Sequence, residues 1–123
     1  MPRFLAVLSL TLAPLLASAE EMISVYNWND YIAPEVLQSF EKESGIRVDY
    51  HTYSTADELE KLMASGVAMD VAVPSHDALP GLIKTAAIQP LDFNRLPNRQ
   101  HLDKQLLSKL AAFDAKNLHA IPY

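Results

Sequence analysis

Cysteine is absent from all 123 residues, glycine occurs only three times and tryptophan once. Without a thiol the chain forms no disulfide, carries no cysteine-linked lipid and is indifferent to the redox state around it. So little glycine also means no phosphate-cradling loop of the Walker or dinucleotide type. A nucleophile elbow, G-x-S-x-G, is missing as well. The four histidines, His51, His76, His101 and His119, stand far apart with no metal-ligand spacing, so no metal site is expected. No repeat or low-complexity segment occurs, and beyond the N-terminus no apolar run approaches the ~20 residues that cross a bilayer. What remains is a globular composition: half the residues are hydrophobic and a fifth are charged.

The N-terminus does carry an apolar stretch, and its flanks decide its meaning. In "MPRFLAVLSLTLAPLLASAEE" Arg3 precedes an apolar segment from Phe4 to Leu16, and Ala17-Ser18-Ala19 offers the small-x-small pattern of a signal peptidase site. The segment is too short for a membrane anchor and Pro14 interrupts it. Residues 1–19 are therefore expected to be a signal peptide, with an exported, soluble product from Glu20. Removing one Arg and no acid turns 10 basic and 15 acidic residues into 9 and 15, a net charge of −6. That balance argues against nucleic acid as a partner and for a cationic one.

From Met22 onward strand and helix patterns alternate. "MISVYNW" is rich in β-branched and aromatic residues and reads as a strand. "APEVLQSFEKESG" starts with Pro34, places Val36, Leu37 and Phe40 on one face and closes at Gly45, as a helix does. "IRVDYHTY" alternates apolar and polar residues as a strand. "STADELEKLMASG" opens with the capping-box spacing of Ser54 and Thr55 to Asp57 and Glu58, turns Leu59, Leu62 and Met63 inward, and stops at Gly66. "MDVAVPS" predicts a short buried strand ended by Pro74, and "HDALPGLIKTAA" a helix broken by Pro80-Gly81. This order indicates βαβ units and a parallel sheet with both faces covered. Beyond Ala87 come a proline-punctuated connection, the amphipathic "DKQLLSKLAAFD" and a strand-like "LHAIPY" ending at Tyr123. The chain stops there in mid-element, so residues 20–123 are expected to be an incomplete lobe.

In an open parallel sheet, ligands collect beyond the carboxyl ends of the strands, where the chain turns. Trp28, Asn29, Asp30 and Tyr31 sit at one such end, and Ser75, His76 and Asp77 at another. Two aromatic rings flanking a carboxylate suit a cation that carries methylenes: the rings give an electron-rich apolar wall and the acid a charge-assisted hydrogen bond. An ammonium group fits that description. Simpler roles stand beside this one. Trp28 could cap the core, Asn29 and Asp30 are good turn residues, and Tyr26, one strand position inward, belongs to the core. Ser75, His76 and Asp77 have the residue types of a hydrolytic triad, but consecutive residues cannot align as nucleophile, base and orienter. The acids Asp30 and Asp77 at strand ends suggest a phosphoacceptor domain, which export argues against. Asp70 reads as a solvated turn acid, and Met63 and Met69 as core fillers.

"VYNWNDYIAPEVLQSFEKESGIRVDYHTY", "DVAVPS", "IQPLDFNRLPN" and "HAIPY", in that order, make the chain from Ile23 to Tyr123 resemble the periplasmic polyamine-binding proteins, the putrescine and spermidine receptors of ABC importers. The resemblance implies an α/β, type II periplasmic-binding-protein-like fold, of which roughly the first third is present, most of it the first lobe. It implies a monomeric periplasmic receptor for putrescine or a related polyamine, an inner-membrane ABC permease as partner, and no catalysis, cofactor or metal. It also implies roles: Trp28 against the methylene chain, Asp30 with a terminal amine, Tyr31 beside that amine, and Ser75 in the cleft. Two positions depart from the family. Asn29 replaces the usual Ser or Thr, and Asp77 stands where relatives have a serine or an aromatic residue, which bears on the amine preferred. Other readings are a receptor of the same fold for another cation or amino-compound, a truncated product without function, and a fragment of an exported enzyme.

Overall fold

The computed structural model describes residues 21–123, so the signal peptide expected over 1–19 lies outside the described residues. Three parallel strands form one sheet in the order β2-β1-β3: β1 is Met22–Trp28, β2 is Arg47–Tyr53 and β3 is Val71–Ala72. The β1–β2 register runs from Met22 opposite Arg47 to Trp28 opposite Tyr53, and Val25 and Tyr26 pair with Val71 and Ala72. Parallel neighbours need a crossover, and the chain supplies helix α1 (Pro34–Ser44) between β1 and β2. Helix α2 (Ala56–Ala64) then leads toward β3.

The helix boundaries follow the local chemistry. Pro34 sits in the first turn of α1, where its missing N–H costs nothing, and Gly45 ends the helix in the left-handed region at φ 73°, donating its N–H to Glu41 O. The Thr55 hydroxyl caps α2 by accepting from Glu58 N at 3.2 Å, while the Glu58 carboxylate accepts from Ser54 N at 2.8 Å. This is close to the capping box expected from the sequence, with the return bond made to Ser54 instead of to Thr55 itself.

The core lies on the α2 side of the sheet. Tyr26, Tyr53 and Leu59 are buried together, and Trp28, Leu62, Met63, Met69 and Ala72 pack around them. Tyr53 is the deepest, 1 % exposed, and its hydroxyl donates to Val73 O in the chain leaving β3. Burial, reinforced by Tyr123, Tyr50 and Tyr31, pushes its phenol up to about 12. The other face is less covered. No residue of α1 is buried, and Val36 and Phe40 of its apolar stripe are 58 % and 41 % exposed.

Four expectations need correction. The strand expected over "MDVAVPS" has two residues and is not buried: Val71 is 45 % exposed because β3 is the edge of the sheet among the described residues. Asp70 is more than a solvated acid, since its carboxylate accepts from Ser24 N and Oγ at 2.8 and 3.1 Å and clips β3 to β1. The break expected at Pro80-Gly81 falls earlier. A 3-10 turn, His76–Ala78, precedes helix α3 (Leu79–Lys84), and Pro80 occupies the first helical turn, where proline is tolerated. Finally, "LHAIPY" forms no strand. The N–H groups of His119 and Ala120 both bond the Asp114 carboxylate, and Pro122 has none to give, so no ladder can start.

After α3 the chain makes 3-10 turns at Phe93–Arg95 and Pro97–His101, then helix α4 (Lys104–Leu110) and a last 3-10 turn at Ala115–Asn117. Asp103 caps α4 through Gln105 N and Leu106 N, and the Leu91 N–H reaches Leu118 O at 2.8 Å, drawing the final segment back toward α3.

Candidate functional site

A groove of about 1400 Å³ opens along the carboxyl ends of β1 and β3. Its position follows from the topology, because β1 is central and the chain turns away from its end at Asn29-Asp30. One wall is aromatic. The Trp28 ring lies 4.8 Å from that of buried Tyr53 and 6.4 Å from that of Tyr31, and Tyr31 in turn meets Tyr123 edge-on at 6.3 Å. Anchored to the core at one end, this series becomes exposed at the other, where Tyr31 and Tyr123 are 59 % and 76 % accessible. Trp28 thus packs on the core and lines the groove.

The segment after β3 also lines the groove. Ser75 precedes the 3-10 turn but its side chain makes no capping bond, which leaves the hydroxyl free for the groove. Asp77, within that turn, is exposed and also lines the groove. The ring of His76 meets Phe113 edge-on at 4.6 Å and ties this turn to the end of α4. The structure therefore brings Trp28, Tyr31, Ser75 and Asp77 to one groove.

The other two sequence-selected residues stand aside from its lining. Asn29 donates its side-chain N–H to Ser54 Oγ at 2.7 Å and its backbone N–H to Tyr53 O at 3.1 Å, so its nitrogen is held by the turn into α2. Asp30 is exposed at φ 59°, a left-handed conformation that Asp tolerates better than most residues.

Three groups in or beneath the groove were not visible from the sequence. Asn27 is 1 % exposed, and its Oδ1 accepts from Trp28 N at 2.7 Å and from the Tyr123 hydroxyl at 3.4 Å, so it steadies both ends of the aromatic wall. The only available signal was a polar residue between two aromatics at a strand end. Tyr123 lines the groove although it lies 92 residues after Tyr31 in sequence. His119 also lines the groove, with Asp114 bonded behind it. Among the described residues no cluster of His, Cys, Asp and Glu could hold a metal ion, and no helix is long and apolar enough to cross a membrane.

Comparison with known proteins places this geometry. The family model described as "Hypothetical lipoprotein (MG045 family)" matches residues 3–120, although the 123 residues hold no cysteine to carry a lipid. The chain is 44 % identical over 123 residues to the putrescine-binding periplasmic protein SpuD of Pseudomonas aeruginosa, a match covering 95 % of this chain and 34 % of that protein. It is 41 % identical over 109 residues to the putrescine-binding periplasmic protein PotF of Escherichia coli, covering 88 % of this chain and 30 % of the relative. The chain spans about a third of the length of these relatives. Among solved structures it superposes with a TM-score of 0.79 and 30 % identity on the spermidine/putrescine ABC transporter substrate-binding protein PotD of Streptococcus pneumoniae, covering 84 % of this chain and 32 % of that one. The parallel sheet and flanking helices are accordingly those of a PotD-type periplasmic binding protein, and the chain belongs to the family described as hypothetical lipoproteins of the MG045 family.

Proposed function

We propose that these residues form the ligand-contacting edge of the first lobe of a periplasmic receptor for putrescine or a related polyamine, which hands its ligand to an inner-membrane ABC permease. The observation that carries this reading is the groove itself, lined by the aromatic series Trp28, Tyr31 and Tyr123 and by the acid Asp77. An alkyl diamine needs that combination: its methylenes lose water against aromatic faces, and its ammonium groups need acceptors and negative charge. The named ligands of SpuD and PotF support the same chemistry. Signal-peptide cleavage after Ala19, a monomeric state and the absence of catalysis belong to this reading.

In it Trp28 supports the methylene chain and Tyr31 flanks an end group. Ser75 accepts from the amine, and Asp77 adds a charge that tunes preference among amines. Asn29 keeps its side-chain oxygen for the ligand, since its nitrogen is bonded to Ser54. Asp30, on the exposed turn beside the groove, pairs with a terminal ammonium when a second lobe closes over it.

Calorimetric titration of putrescine, cadaverine and spermidine into the full-length protein and its variants tests these roles. Asp30→Asn is expected to weaken putrescine at least about thirtyfold, the loss typical of removing one partner of an enclosed charge pair. Trp28→Ala should weaken the three amines alike, because it removes a wall and not an end contact. Asp77→Ser should reorder the amines more than it lowers overall affinity. If Asp30→Asn stays within about threefold of the parent, Asp30 is a turn residue and its assigned role is lost.

A further inference from the structure

Asp114 is completely buried, 0 % exposed, between the end of α4 and the 3-10 turn Ala115–Asn117. Its Oδ2 accepts from the backbone N–H groups of His119 at 2.7 Å and Ala120 at 3.0 Å, and its Oδ1 lies 2.9 Å from His119 Nδ1. Burial pushes this carboxyl up, but the His119 ring and the backbone of His119, Ala120 and Leu118 outweigh it and hold the group below its usual 3.8. The group is therefore an ionised acceptor at neutral pH.

That fixes the proton on its neighbour. A carboxylate has no hydrogen to give, so Nδ1 of His119 carries one, and in the neutral ring Nε2 is left as a bare acceptor. Among the described residues Nε2 has no hydrogen-bond partner. The His119 side chain keeps 15 % of its surface, and the residue lines the same groove as Trp28, Tyr31, Ser75 and Asp77.

We propose that His119 is a further ligand-contacting residue, whose Nε2 accepts a hydrogen bond from an ammonium group in the groove, with Asp114 as the positioning residue that fixes the ring and its tautomer. The inference rests on the reading of the groove as an amine site. A loop staple alone would need only the two backbone donors on Oδ2; placing an imidazole on Oδ1 aims a second ring nitrogen outward. The arrangement makes chemical sense for a cation. An imidazole whose Nδ1 hydrogen is held by a buried carboxylate presents Nε2 as a directed acceptor. It complements the exposed charges of Asp77 and Asp30.

The test uses the full-length protein with 15N-labelled histidine. Saturating putrescine should move the Nε2 resonance of His119 while Nδ1 keeps its protonated position. His119→Phe, which keeps the ring volume but removes the acceptor, should weaken putrescine about ten- to a hundredfold, the range for a hydrogen bond to a charged group. His119→Gln, which retains an acceptor, should lose less. Asp114→Asn should leave the ring as a mixture of tautomers, visible in the same spectrum. A His119→Phe variant that binds within about threefold of the parent, with the parent's Nε2 resonance unmoved by ligand, overturns the inference alone. A parent that binds no amine overturns the function reading and this inference with it.

Discussion

Between Met22 and Ala72 the protein is held by strand ladders and by an apolar cluster around Tyr26, Tyr53 and Leu59, whereas from Ile88 to Tyr123 its only α-helix is the seven-residue α4. In the later region carboxylates repeatedly hold backbone N–H groups: Asp92 that of Asn94, Asp103 those of Gln105 and Leu106, Asp114 those of His119 and Ala120. One region is fixed by where its apolar side chains fall, the other by where its acids can reach. The groove lies between them, with Trp28 and Ala72 contributed by the first and His119 and Tyr123 by the second. A ligand site built on this seam takes its rigidity from the sheet and its polar directionality from the turns.

Leu59→Ala attacks the first region at its centre. Leu59, on α2, is 3 % exposed against Tyr26 and Tyr53 of the sheet, and truncating such a side chain costs about 2–5 kcal/mol. Thermal or denaturant unfolding should show a loss in that range and a lowered midpoint for the whole protein.

Asp114→Ala attacks the second region in the corresponding way. Removing the carboxylate leaves two backbone donors and a ring N–H without their acceptor, a loss of about 1–3 kcal/mol. Hydrogen exchange should show it locally, as faster exchange of the His119 and Ala120 amides with little change in β1 and β2. The parent protein carries the matching pH dependence. Because the folded pKa of Asp114 is depressed below 3.8, its contribution is fully present above the unfolded value and is lost as pH falls through the folded one. Protection of these two amides should therefore decline below about pH 4 in the parent, and the Asp114→Ala variant should lack that decline.

Thr55→Ala removes the cap of α2, whose hydroxyl accepts from Glu58 N, and should cost about 1 kcal/mol. Leu106→Ala gives the smallest effect, within about 0.5 kcal/mol, because Leu106 is 45 % exposed on α4. A Leu106→Ala loss comparable to that of Leu59→Ala would show that the later region rests on apolar packing after all.

The same contrast explains what could be read from the sequence. β1 was legible to the residue, and α1, β2 and α2 nearly so, because period-two and period-3.6 apolar patterns coincide there with Pro34, Gly45 and the Thr55–Glu58 cap. "LHAIPY" has the composition of a strand, but its fate was decided by Asp114, four residues before the segment, taking the N–H groups a ladder would need. Composition cannot show which acid will be buried. In the groove, Trp28, Tyr31, Ser75 and Asp77 were found because strand ends are predictable positions. Asn27, His119 and Tyr123 were missed because their roles depend on contacts between distant segments, such as the Tyr123 hydroxyl on Asn27 Oδ1. Asp70 was misjudged for the same reason, its partner Ser24 lying 46 residues earlier.

The central claim is that this seam recognises a charged amine and not merely a short apolar chain. Calorimetric titration of the full-length protein with putrescine, butylamine and 1,4-butanediol compares ligands that share a four-carbon stem and carry two, one and no positive charges. The account predicts saturable binding of putrescine, much weaker binding of butylamine and no measurable heat from the diol; a diol that binds as well as the diamine, or a protein that binds neither amine, would contradict it.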